Sequence, residues 1–137
     1  MALYERVFAC YEPVRTPVTA IEYRRFMTAG PRAPADAREF VRTKLPSGER
    51  IDDVILMVSE LVTNAVRHGP SGRIYLRLID GDVLRVEVQQ LGQSETTLNG
   101  DQRPRSGYGL KIVEALSDAW GTGDPEWQGI WFEVRID

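Results

Sequence analysis

The chain has 137 residues, 42% hydrophobic and 27% charged, which suits one globular domain with a core of its own and leaves no room for a second. A formal net charge of −3 offers no basic field for a phosphate backbone and argues against nucleic acid as a direct partner. No apolar run reaches the roughly 20 residues that span a bilayer, Met1 to Pro13 lacks a signal-peptide hydrophobic region, and one cysteine with one histidine cannot build a disulfide or a Cys/His zinc site. A cytoplasmic protein with no membrane association is therefore the simplest reading.

Leu3 to Tyr11 reads as a strand, with Val7, Phe8 and Tyr11 as β-formers and no breaker before Pro13. Cys10 lies within it and reads as a buried structural thiol. From Pro13 to Pro34 the chain is punctuated by proline, and Ala20 to Thr28 is read as two helical turns ending before Gly30. Ala35 to Leu45 carries Ala37, Phe40, Val41 and Leu45 at helical spacing, with Pro46-Ser47-Gly48 as a stop. The strongest signal is Ile51 to His68. Ile51, Val54, Ile55, Val58, Leu61, Val62, Ala65 and Val66 form one apolar arc at about 100° per residue, and Glu60, Asn64 and His68 follow one another along its edge. Asp52 and Asp53 in the first turn and His68 in the last match the helix dipole, and Gly69-Pro70 ends the element.

Arg73 to Asp80 and Val83 to Gln89 alternate as strands around an Asp80-Gly81-Asp82 turn. Leu91 to Ser106 has no apolar period, and loops of that length are usually functional or disordered. Gly109 to Leu116 reads as a helix, Ala119 to Gly121 as the start of a strand, and Ile130 to Ile136 as the last strand. The order β-α-α-β-β-α-β-β implies an α+β fold: a two-layer α/β sandwich with helices on one face of a mixed, mostly antiparallel sheet.

Two features carry chemistry. Ser106-Gly107-Tyr108-Gly109-Leu110 places two glycines where a long loop enters a helix, and free N–H groups there suit a phosphate. Taken alone, the two glycines are better read as serving a tight turn. On the central helix, Asn64 offers an amide oxygen to a hard cation such as Mg²⁺, and Glu60, one turn earlier, can polarise a hydroxyl. A solvated helix edge with Glu60 beside Arg67 or His68 is the equal alternative. The two features together point to an anionic ligand.

SELVTNAVRHG, then a strand hairpin, a polar loop, GYGL opening a helix, AWG and a terminal IWFEV strand resemble the stand-alone anti-sigma factors with serine-kinase activity. Those proteins have the histidine-kinase/Hsp90-like ATPase fold. The resemblance covers Ala35 to the C-terminus, so residues 35–137 would form the ATPase domain and residues 1–34 a strand and extension packed on it. It implies Mg-ATP beneath a lid at Leu91 to Ser106. It also implies partner switching with a sigma factor, and phosphorylation of a serine on an anti-sigma-factor antagonist. Asn64 would hold Mg²⁺ and phosphates, Glu60 would be the catalytic base, and Gly107, Tyr108, Gly109 and Leu110 would receive the phosphates. His68 occupies the family's His-Gly position and would mainly cap the helix; Lys111 would pair with phosphate or stay solvated.

The base end departs from the family. Gln90 stands where such proteins carry the Asp that accepts the adenine amino group, and Gln128-Gly129 replaces a Lys-Thr pair. ATP affinity is expected to be weakened, relaxed toward other bases, or lost. That leaves a regulator that binds protein partners without nucleotide turnover as the alternative to a kinase. Trp120, Trp127 and Trp131 suggest a partner surface or a homodimer, with at least one of them a core residue.

Overall fold

The computed structural model describes residues 20–68, 72–91, 107–123 and 129–136. In chain order they form β1 (Ile21–Thr28), α1 (Ala33–Lys44), α2 (Glu49–His68), β2 (Arg73–Asp80), β3 (Leu84–Leu91), α3 (Gly107–Leu116), β4 (Ala119–Thr122) and β5 (Gly129–Val134). The strands make a five-stranded sheet in the order β1-β2-β3-β5-β4, and every pairing is antiparallel. The expected strand at Leu3 to Tyr11 and the loop from Gly92 to Ser106 lie outside the described residues.

Helix α2 owes its place to its apolar arc. Ile51, Val54, Val58, Leu61 and Val62 are buried, and they pack with the inward residues Ile74, Leu76, Leu78, Leu84, Val86, Val88, Phe132 and Val134 of the sheet. Helix α1 adds Ala37, Phe40 and Val41 to the same core, and α3 adds Val113. The sandwich therefore has its helices on one side of the sheet, as the order of elements predicts. Helix α1 begins at Ala33, two residues before the expected start, because Pro34 falls in the first turn, where a missing N–H costs nothing.

One expectation is overturned. Ala20 to Thr28 is not helical: Ile21–Thr28 is strand β1, paired along its whole length with β2 from Ile21↔Asp80 to Thr28↔Arg73. Tyr23, Phe26 and Met27 have the i, i+3, i+4 spacing of a helix face, but Tyr23 and Met27 also alternate with Arg24 and Phe26 as a strand requires. Pairing with β2 decides between the two periods. It turns Tyr23 and Met27 toward the core and stacks Phe26 on Tyr75, centroids 4.6 Å apart, on the opposite face.

That opposite face carries charge. Glu22 bonds Arg77, Arg77 reaches Glu87 at 3.4 Å, Arg85 bonds Glu87 at 2.8 Å, and Arg85 reaches Glu133 at 3.1 Å, so one chain of ion pairs crosses four strands. The Arg85 guanidinium also lies 4.3 Å from the centre of the Trp131 ring. Trp131 in turn leans on Gly121, where an added Cβ would fall 2.9 Å from the indole, so the close approach of β4 and β5 side chains requires glycine there. Trp120 points the other way and packs against the core. Trp127 lies outside the described residues.

Candidate functional site

The residues singled out from the sequence lie on the last turns of α2 (Glu60, Asn64 and His68), at the end of β3 (Gln90) and at the start of α3 (Gly107 to Lys111). Arg50 fixes the opposite end. Its guanidinium donates to the Leu116 carbonyl at 2.8 Å and to the Arg135 carbonyl at 3.2 Å, and it pairs with Asp118 at 3.2 Å. The end of α3 is thereby tied to the start of α2, and the first turn of α3 lies away from that joint. Asp118 also accepts from the Arg135 backbone N–H at 2.7 Å, and this bond first, with Arg50 second, holds its carboxyl below the ordinary range.

On α2, Glu60 is half-buried and Asn64 is buried, with 6% of its surface exposed. Asn64 sits deeper than an edge position on a helical wheel suggests. Its Oδ1 is sealed from solvent and has no hydrogen-bond partner among the described residues. A buried amide oxygen left unmatched costs about 1–3 kcal/mol, so the position carries a cost that an incoming cation or donor would remove. Ser59, beside Glu60, is bonded by Arg38 of α1 at 2.9 Å, which locks this turn of α2 to its neighbour helix.

Gln90 lies on the inward face of β3, in register with Ile74. Its Nε2 donates to the Ala65 carbonyl at 2.6 Å. Sequence reasoning places Gln90 in the site but does not foresee this bond, because nothing in the chain's local pattern says that the side chain reaches a helix 25 residues earlier. Gly129 stands opposite Gln89, one residue from Gln90, and its carbonyl accepts from the Gly123 N–H at 2.8 Å. In α3, Leu110 packs against the core and Lys111 is exposed. Gly107, Tyr108 and Gly109 form the first turn of the helix. The side chains of Tyr108 and His68 lie outside the described residues.

Gln90 of β3 thus bonds the residue that follows Asn64 on α2. Among the described residues no three of His, Cys, Asp and Glu cluster.

Residues 29–127 match the histidine kinase-like ATPase domain family. The chain belongs to that family. The match begins just after β1 and spans the elements from α1 to β4. The chain is also similar to an anti-sigma F factor of Anoxybacillus flavithermus. The identity is 29% over 93 residues, covering 58% of this chain and 64% of that protein. No helix among the described residues of this ATPase-like domain is long and apolar enough to cross a membrane.

Proposed function

We propose that this protein is an anti-sigma-type regulator that binds Mg-ATP between α2 and α3 and acts through protein partners in the cytoplasm. The observation that carries the reading is the buried, unmatched Oδ1 of Asn64 inside an ATPase-family domain. The similarity to an anti-sigma F factor supports a sigma factor as one partner and an antagonist protein as another.

The residues present fit a hydrated divalent cation. Asn64 would hold it through Oδ1 together with phosphate oxygens, and Mg²⁺ bound there would neutralise charge on the phosphates. The N–H groups that open α3 at Gly107 to Leu110 would receive phosphate, with Lys111 available as a second cation. Glu60, one turn before Asn64, would take the proton of a partner's serine hydroxyl as that oxygen attacks the terminal phosphorus and ADP leaves. His68 would serve the end of α2.

Gln90 supports a second reading, a partner-binding module with little or no nucleotide turnover. A carboxylate at this place would accept a charge-assisted bond from an exocyclic amine; the amide of Gln90 is instead engaged with α2. Calorimetric titration of the full chain with Mg-ATP tests both. Saturable binding that disappears in Asn64→Ala supports the nucleotide reading. No heat at millimolar Mg-ATP leaves the module alone. Glu60→Gln should keep ATP binding and lose phosphate transfer to a serine-containing partner.

A further inference from the structure

Strand β1 and helix α1 enclose a groove of about 410 Å³ at the rim of the sandwich. None of Glu60, Asn64, Gln90 or Lys111 lines it. Tyr23 and Phe40 supply its apolar lining, both packed at the border of the core, and Arg25 stands on the strand wall. The helix wall carries Asp36, Glu39 and Lys44. The Lys44 ammonium lies 5.7 Å from the centre of the Tyr23 ring and 6.0 Å from that of Phe40, so the last turn of α1 faces the start of β1 and the two elements run antiparallel. Asp36 and Glu39 therefore line the half of the groove nearer the end of β1. Among the described residues, neither of these carboxylates, nor Arg25 or Lys44, belongs to an ion pair. The helix dipole accounts for an acid in the first turn of α1 and a base in the last, but it calls neither for Glu39 nor for a groove beside it.

The strand wall of this groove is also an edge of the sheet. Among the described residues β1 pairs with β2 alone, over its 8 residues without bulge or proline, and Ile21 and Phe26 stay 52% and 53% exposed. Edge strands are usually blunted by shortness, charge, proline or a bulge. The opposite edge, β4, has only 4 residues. Strand β1 has charge alone, and its Arg24 is matched by Glu22 at 2.6 Å. A long edge beside a groove suits strand addition, in which main-chain bonds supply affinity and alternate side chains enter pockets. We propose that an extended peptide segment of a partner protein pairs antiparallel with β1 and sends every second side chain into this groove. In the peptide's own order those side chains are a base, an apolar residue and an acid. The antiparallel run sets the peptide's start beside the end of β1, so the base meets Asp36 and Glu39. The apolar side chain then lies on Tyr23 and Phe40, and the acid meets Lys44. The spacing agrees, because positions i to i+4 of a strand span about 14 Å and the helix rises about 12 Å from Asp36 to Lys44. The site shares no residue with the nucleotide reading and holds whether or not ATP binds.

The probe is the capped heptapeptide Thr-Lys-Thr-Ile-Thr-Glu-Thr, titrated against the full chain beside Thr-Glu-Thr-Ile-Thr-Lys-Thr, which has the same composition with its charges exchanged. Fluorescence anisotropy of the labelled peptides should show saturable binding below millimolar concentration, at least about fivefold weaker for the exchanged peptide. Glu39 and Lys44 are both exposed, so the double variant Glu39→Lys with Lys44→Glu should fold, and it should abolish or invert the preference. Hydrogen exchange reads the edge itself. In the free chain about half of the β1 amides, those not bonded to β2, should exchange freely, and the first peptide should slow them at least about tenfold. No saturation at millimolar peptide, equal affinity for the two peptides, or a preference that the double variant leaves unchanged would each overturn the proposal. Protection of all the β1 amides in the free chain would show the edge already occupied, by a second copy where light scattering gives a dimer, and would overturn it as well.

Discussion

The Gln90 side chain donates a 2.6 Å hydrogen bond to the Ala65 carbonyl, joining the end of β3 to the helix turn that carries Asn64. The amide is thus oriented: Nε2 faces α2, and Oε1 is the side that can accept. Gln90→Glu keeps the length but sets a carboxylate oxygen against a carbonyl oxygen, and should cost about 1–3 kcal/mol in urea denaturation. Gln90→Asp is shorter and withdraws from Ala65. It should lose about 1 kcal/mol of stability yet tighten Mg-ATP several-fold over Mg-GTP, by restoring a charge-assisted acceptor for an exocyclic amine. Calorimetry and denaturation read the two effects separately, and ATP binding that weakens in Gln90→Asp would make the glutamine itself the base reader.

Asn64 should separate binding from folding. Its Oδ1 makes no bond that the apo fold depends on among the described residues, so Asn64→Ala should stay folded with stability within about 1 kcal/mol of wild type. Mg-nucleotide affinity should fall by an order of magnitude or more, about 1.4 kcal/mol for each factor of ten. Circular dichroism with calorimetry checks this. Unfolding of the variant would make the amide a structural one.

Glu87 is the shared carboxylate between two buried guanidinium groups, Arg77 and Arg85. Glu87→Ala should destabilise the protein by about 3–5 kcal/mol, because removing one member of a buried ion pair leaves charge that cannot reach water. Glu133, at the more exposed end of the same series, should cost about 1 kcal/mol or less on truncation. Equal effects in urea denaturation would mean that the network is solvated.

Acid should weaken the fold at specific carboxylates. Burial tends to raise the Glu22 carboxyl, but hydrogen bonds and charges from Arg77 and Arg24 outweigh it, and its pKa lies below the ordinary glutamate value. Asp118 is lowered by the Arg135 N–H and by Arg50. A carboxylate depressed in the folded state contributes stability above its unfolded pKa and loses it as pH falls through the folded one. Denaturation midpoints should therefore be level from neutrality to about pH 5 and fall below about pH 4. Glu22→Gln and Asp118→Asn should each flatten that fall.

The sequence by itself determined the elements whose hydrophobic period is unambiguous. Helix α2 follows from eight apolar residues on one arc with matching ends, and the β2–β3 hairpin from alternation around Gly81, because local patterning there allows only one period. The family relationship was legible for the same reason, since its most specific stretch, Ser59 to Gly69, lies along and just beyond α2. Tertiary structure decided what local pattern leaves open. Tyr23, Phe26 and Met27 satisfy helix and strand spacing alike, and only hydrogen bonding to β2 makes Ile21–Thr28 an edge strand. Alternation marks Arg77, Arg85 and Glu87 as outward, hence solvated, yet they are buried and paired with one another across neighbouring strands, an arrangement that the period of one strand does not encode. The depth of Asn64 and the bond from Gln90 to Ala65 are likewise set by how β3 meets α2, a contact between residues far apart in the chain that no local periodicity encodes.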